Sequence, residues 1–118
     1  MADAALFIGW GAVVPGRERQ AQRVFDEGVA YWARLQQQGE IESFEPVALE
    51  PHGGDLFGFC LLRGERERLS RLRHSEEFRR LNARAALVVH HFGVVSADLG
   101  EQLRGAFATF QEQTGELT

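Results

Sequence analysis

Apolar residues along the chain follow two periods in turn. Short runs that alternate, or are apolar throughout, are separated by stretches with apolar positions three and four apart. The order predicts strand, long helix, strand, tight hairpin, strand, shorter helix, strand and a closing helix. Leu6 to Val14 reads as the first strand, bounded by Pro15-Gly16, with Leu6, Ile8 and Trp10 on one face and Phe7, Gly9 and Gly11 on the other. Ala21, Val24, Phe25, Gly28, Trp32 and Leu35 fall at helical spacing, and Gly39 supplies the stop. Ile41 to Glu50 is the second strand. Pro46 cannot donate into a ladder, which places that strand at an edge or on a bulge.

Pro51-His52-Gly53-Gly54-Asp55 reads as a hairpin connection, and Leu56 to Arg63, apolar on both faces, as a central strand. Glu65 to Arg73 is a helix with acids first and arginines last, as the macrodipole favours. Ser75 then reads as a fresh N-cap, so the helix breaks near His74. Leu87 to Val95 is the fourth strand. Asp98 with Glu101 makes a capping-box signature for a last helix whose stripe is Leu99, Leu103, Ala106, Phe107 and Phe110, ending at Gly115. One domain spans 1–118, with a core at about 5–97 and the C-terminal helix at about 98–115.

A βαββαβ order closes into one antiparallel sheet with both main helices on the same face, an α+β fold. The other face is bare, and its residues here are largely apolar. Such a face predicts a partner, most simply a second copy of the chain.

Composition narrows the chemistry. The net charge of -4 argues against a nucleic-acid partner, which needs a basic face. All 13 basic residues are Arg, which removes lysine Schiff-base chemistry and a phosphate-loop lysine. The single cysteine, Cys60, excludes an internal disulfide and a cysteine-rich zinc site, and its apolar neighbours make it a small buried hydrophobe. The start, Met-Ala-Asp-Ala-Ala, has no basic residues and leads into a short run with two glycines, so neither a signal peptide nor a membrane span is predicted, and the expected location is cytoplasmic.

Candidate site residues are few. His90 and His91 are adjacent on the predicted fourth strand and so point to opposite faces, which prevents both from ligating one metal within a monomer. One of the two is the candidate general base or metal or haem ligand in a cavity, or else a hydrogen-bonded core or interface group. Trp10 on the first strand and Phe57, Phe59 and Cys60 on the third are the candidate pocket residues. Glycines on the same strands mark close approach of a helix or a ligand. His52 and Asp55 lack a third ligand and read as turn residues. No metal site and no cofactor is predicted.

The strand and helix order, with Ser75-Glu76-Glu77-Phe78 between the second helix and the fourth strand, resembles the dimeric α+β barrel superfamily. This is the ferredoxin-like group that includes antibiotic-biosynthesis monooxygenase-like, EthD-like and muconolactone-isomerase-like proteins. Ile8-Gly9-Trp10-Gly11, Ile41-Glu42-Ser43-Phe44-Glu45-Pro46 and Pro51-His52-Gly53-Gly54-Asp55 are similar to segments of small uncharacterised bacterial proteins of that fold. The resemblance implies a homodimer whose sheets meet face to face, with a cavity beside the interface. Three functions are consistent with it: a protein that binds a small apolar or aromatic ligand, a cofactor-independent oxygenase or isomerase acting on such a compound, and a structural dimer without a ligand.

Overall fold

A computed structural model of the protein describes residues 2–118. The chain forms β1 (Ala4–Trp10), α1 (Glu18–Gln37), β2 (Ser43–Ala48), β3 (Gly58–Gly64), α2 (Arg66–Arg73), α3 (Glu76–Ala86), β4 (Gly93–Asp98) and α4 (Gly100–Leu117). The four strands make one antiparallel sheet in the order β2-β3-β1-β4, a ferredoxin-like arrangement. β3 is central, and β2, which carries Pro46, is an edge strand; Pro46 sits opposite Cys60. An edge tolerates proline because the N–H it lacks would face away from the ladder.

Register decides which residues meet. Leu6 pairs with Leu62 and Ile8 with Cys60, and these four project into the helix layer. There they meet Tyr31, Trp32 and Leu35 of α1, Leu69 and Leu72 of α2, and Phe78 of α3. The remaining positions, Phe7, Phe59, Leu61 and Val95, occupy the opposite face, where no helix of the same chain covers them. Phe7 stacks on Phe59 there, ring centroids 5.1 Å apart.

Two glycines explain how aromatic rings lie flat on this sheet. A β-carbon at Gly58 would come 2.8 Å from the Trp10 indole, its cross-strand partner, and one at Gly9 would come 2.7 Å from the Phe7 ring. Close approach of a ring on each face, not of a helix backbone, is what these positions require.

The α2–α3 break falls where the sequence places it. The Ser75 hydroxyl accepts from the Phe78 N–H at 3.4 Å and donates to the Leu72 carbonyl at 2.8 Å, closing one helix and opening the next.

β2 and β3 start two residues later than expected, and β1, β4 and α4 differ more. β1 ends at Trp10, and the chain beyond it joins the α3–β4 link through a bridge between Val13 and Val89. β4 covers Gly93–Asp98 instead of Leu87 to Val95, because His91 adopts φ 56°, a left-handed turn that no strand accommodates. The predicted capping box is absent: Leu99 is the N-cap, with no side-chain cap bond, and Asp98 instead pairs with Arg66 of α2 at 3.0 Å. Nor does Gly115 stop α4, which runs on to Leu117.

Candidate functional site: a cavity between the helix layer and the sheet

The helix layer does not close fully over the sheet. Beyond the packed cluster, toward the C-terminal end of β1, α1 and α3 leave an open-sided cavity of about 320 Å³. Its floor is Ile8 and Trp10 of β1, with Ala48 at the end of β2. One wall is the α1 face carrying Phe25, Gly28 and Trp32; the other is Leu81, Asn82 and Ala85 of α3 with Val88, Val89 and Phe92 of the link to β4. The small residues Ala21, Gly28 and Ala85 on the two helices explain why space remains.

Ion pairs on the outside hold the two helices at this separation. Arg84 grips the Glu27 carboxylate through two bonds of 2.9 and 3.0 Å, and Arg34 pairs with Glu77. Each is exposed and contributes no more than about 1 kcal/mol, so they align the walls more than they stabilise the fold.

Apolar and aromatic side chains dominate the lining, and Glu18, Gln22 and Asn82 are its polar members. Trp10 meets Phe25 edge-on, ring centroids 6.0 Å apart, and Trp32 leans on Phe44 at 6.2 Å. The Trp32 indole N–H is buried without a hydrogen-bond partner, a defect that costs on the order of 1–3 kcal/mol. The volume lies at the small end of the range of small-molecule sites, about 300–1,000 Å³, which suits one or two fused rings.

The candidate pocket residues do not come together. Trp10 lines the cavity. Cys60 faces the same helix layer but is sealed in the packed core, fully buried. Phe59 lies one position along β3, hence on the opposite face of the sheet, paired with Gly9. Phe57 precedes β3, donates its N–H to the Trp10 carbonyl at 2.8 Å and is half exposed. Strand alternation alone separates Phe59 from Trp10 and Cys60.

The histidines also sit elsewhere than expected. Neither is on a strand, so opposite-face alternation does not apply to them. His90 is held by its backbone, its N–H donating to Ala12 at 2.8 Å and its carbonyl accepting from Gly11 at 2.7 Å. His91 occupies the left-handed turn, and both imidazoles are exposed, with centroids 6.3 Å apart. They lie between the lining residues Val89 and Phe92 without being part of the lining. His52 donates to the Leu56 carbonyl at 2.9 Å within its own hairpin, a local structural bond.

Burial pushes the Cys60 thiol up to about 12. Because the folded value exceeds the unfolded one, this contribution to stability is complete below the ordinary thiol value of 9.0 and is lost as pH rises from there toward 12. The native protein is therefore expected to leave 5,5′-dithiobis(2-nitrobenzoate) unreacted at pH 8, and to release one equivalent of thiolate on denaturation. Rapid reaction of the folded protein would show that the thiol is open to solvent.

No protein-family model matches the chain, and neither does any curated protein. Solved structures do match. An ethyl tert-butyl ether D (EthD) family protein from Bacillus halodurans aligns with TM-score 0.62 and 9% identity, over 83% of this chain and 99% of that one. A dimeric protein of unknown function and ferredoxin-like fold from Bacteroides fragilis aligns with TM-score 0.58 and 9% identity, over 81% and 96%. SnoaB, a cofactor-independent oxygenase from Streptomyces nogalater, aligns with TM-score 0.51 and 16% identity, over 85% and 98%. At these identities the likeness establishes a shared ferredoxin-like fold. Among the described residues, no helix is long and apolar enough to cross a membrane, and no three metal-ligating side chains are grouped.

Proposed function

We propose that the protein is a homodimer that binds a small apolar or aromatic molecule in the cavity between α1, α3 and the sheet. The observation that carries the ligand reading is the cavity itself: open-sided, about 320 Å³, and lined by Trp10, Phe25, Trp32 and Phe92 among mainly aliphatic neighbours. An apolar surface that stays open in a folded domain gains free energy when an apolar molecule displaces its water. The dimer reading rests on the uncovered apolar sheet face and on the dimeric state of the Bacteroides fragilis structure.

This reading moves the ligand from beside the sheet–sheet interface, where the family resemblance implies a cavity, to the helix side of each subunit. A second reading, supported by the fold shared with SnoaB, is a cofactor-independent oxygenase or isomerase using the same cavity. In that case His90 or His91, at the edge of the lining, is the candidate base.

Naphthalene is a suitable probe because it offers apolar surface and no hydrogen bonds. It is expected to bind the wild-type protein in a calorimetric titration and to raise the melting temperature. Ala85→Phe places a ring in the cavity from α3 and is expected to abolish that binding with the fold retained, as judged by circular dichroism. Undiminished binding to Ala85→Phe would move the ligand site elsewhere.

A further inference from the structure

One element is left without a place in its own subunit. None of the 18 residues of α4 is buried, although Leu103, Phe107, Phe110 and Leu117 are 42%, 61%, 70% and 86% exposed and fall on one helical stripe. The helix is tied down at its root. The Leu99 N–H donates to the Asp3 carbonyl at 3.0 Å, and the Arg66 guanidinium reaches Asp98 at 3.0 Å and Gln102 at 2.9 Å. Beyond that first turn it projects from the body. The radius of gyration is 16.1 Å, against roughly 13.5 Å for a compact chain of this length.

A solitary helix of this length, with Gly105 and Gly115 inside it, is marginal in water, so its order requires a surface to pack on. Its stripe is also too large to be incidental. The four side chains present roughly 500 Å² between them, taking ~200 Å² for a large side chain fully exposed. Two such helices supply about 1,000 Å², close to the ~1,200 Å² at which specific interfaces begin, before any sheet residue is counted.

We propose that α4 is an arm that packs on a second copy of this chain. Leu103, Phe107 and Phe110 lie against the partner subunit, and the two arms make one continuous interface with the open sheet faces carrying Phe7, Phe59, Leu61 and Val95. The fixed root sets the direction in which the arm leaves, since β4, from which it departs, contributes Val95 to that face. Glu101, Arg104 and Glu112 on α4 stay in water.

The arm rests on the dimer proposed above, and the test separates the two. Sedimentation equilibrium compares the full-length wild type with Phe107→Glu/Phe110→Glu, whose sites are exposed in the subunit. In parallel, isotope-filtered NMR on dimers of labelled and unlabelled wild-type subunits reports which subunit the Phe107 and Phe110 rings touch. The expected result is a wild-type dimer, a dissociation constant raised at least a hundredfold in the variant, and ring contacts to the other subunit. A dimer whose variant dissociates no more readily, or whose rings contact only their own subunit, overturns the arm and leaves the dimer standing. A wild type that is monomeric throughout overturns both. Should the variant fail to fold, the filtered contacts of the wild type decide alone.

Discussion

Phe78→Ala is expected to lower the free energy of unfolding by about 3–5 kcal/mol, the largest effect on stability of any single truncation in the chain. Phe78 is fully buried and is the one buried residue of α3. Its ring lies 6.4 Å from that of Tyr31 on α1, so it joins α3 both to α1 and to the sheet cluster. Removing it takes away the transfer free energy of the ring and leaves a void that two helices and a sheet cannot close without moving. For a domain whose whole stability is about 5–15 kcal/mol, that loss brings it near the threshold of folding. Urea denaturation at one fixed protein concentration measures it, since association contributes to apparent stability. A change below about 1 kcal/mol would mean that α3 is not anchored as described.

Phe59→Asp is expected to raise the dimer dissociation constant by roughly a thousandfold or more while each subunit stays folded. Phe59 sits at the centre of the open face on the central strand, paired with Gly9 and Val47 and stacked on Phe7 at 5.1 Å. Within one subunit the substitution removes the stacking, worth about 0.5–1.5 kcal/mol, and leaves the carboxylate hydrated. Across the interface it removes an aromatic anchor and buries an unpaired charge, and each of these losses costs at least about 2 kcal/mol. Phe59→Leu keeps the apolar surface and is expected to remain dimeric. Sedimentation equilibrium distinguishes the pair, with the chain mass of 13.2 kDa as the monomer standard. An unaffected dissociation constant in Phe59→Asp would show that the subunits meet elsewhere.

Local signals that carry their own physics were legible in the sequence. Pro46 marked an edge strand because it has no N–H to give. Ser75 marked a helix start because its hydroxyl replaces a missing backbone acceptor. The two-faced apolar run around Cys60 and Leu62 marked the centre of the sheet. What escaped depends on partners distant in sequence. Asp98 has the spacing of a cap, but Arg66, 32 residues earlier, takes its carboxylate. Leu87 to Phe92 reads as strand, yet the left-handed turn at His91 and the bridge from Val89 to Val13 turn it into a wall of the cavity.

The cavity was the least legible feature. Phe25 was readable as part of an apolar stripe, but nothing along the stripe says that it faces space. Ala21, Gly28 and Ala85 look the same in sequence whether two helices close on one another or stand apart. The one available hint was that small residues recur on both helices, on the sides that face each other. The candidate pocket residues were drawn from strand composition, and the register of β3 then divided them between two faces.

The proposed function gives the two faces of the sheet separate tasks: a ligand beneath the helices and a second subunit on the open side. A ¹H–¹⁵N correlation spectrum of the uniformly labelled protein, titrated with naphthalene, tests that division most directly. The expected result is saturable shifts at Ile8, Trp10, Phe25, Ala85 and Phe92 and at the indole N–H groups of Trp10 and Trp32, with the open-face residues Phe7, Phe59, Leu61 and Val95 unmoved. Shifts centred on those four open-face residues, or none up to the solubility of the probe, would contradict it.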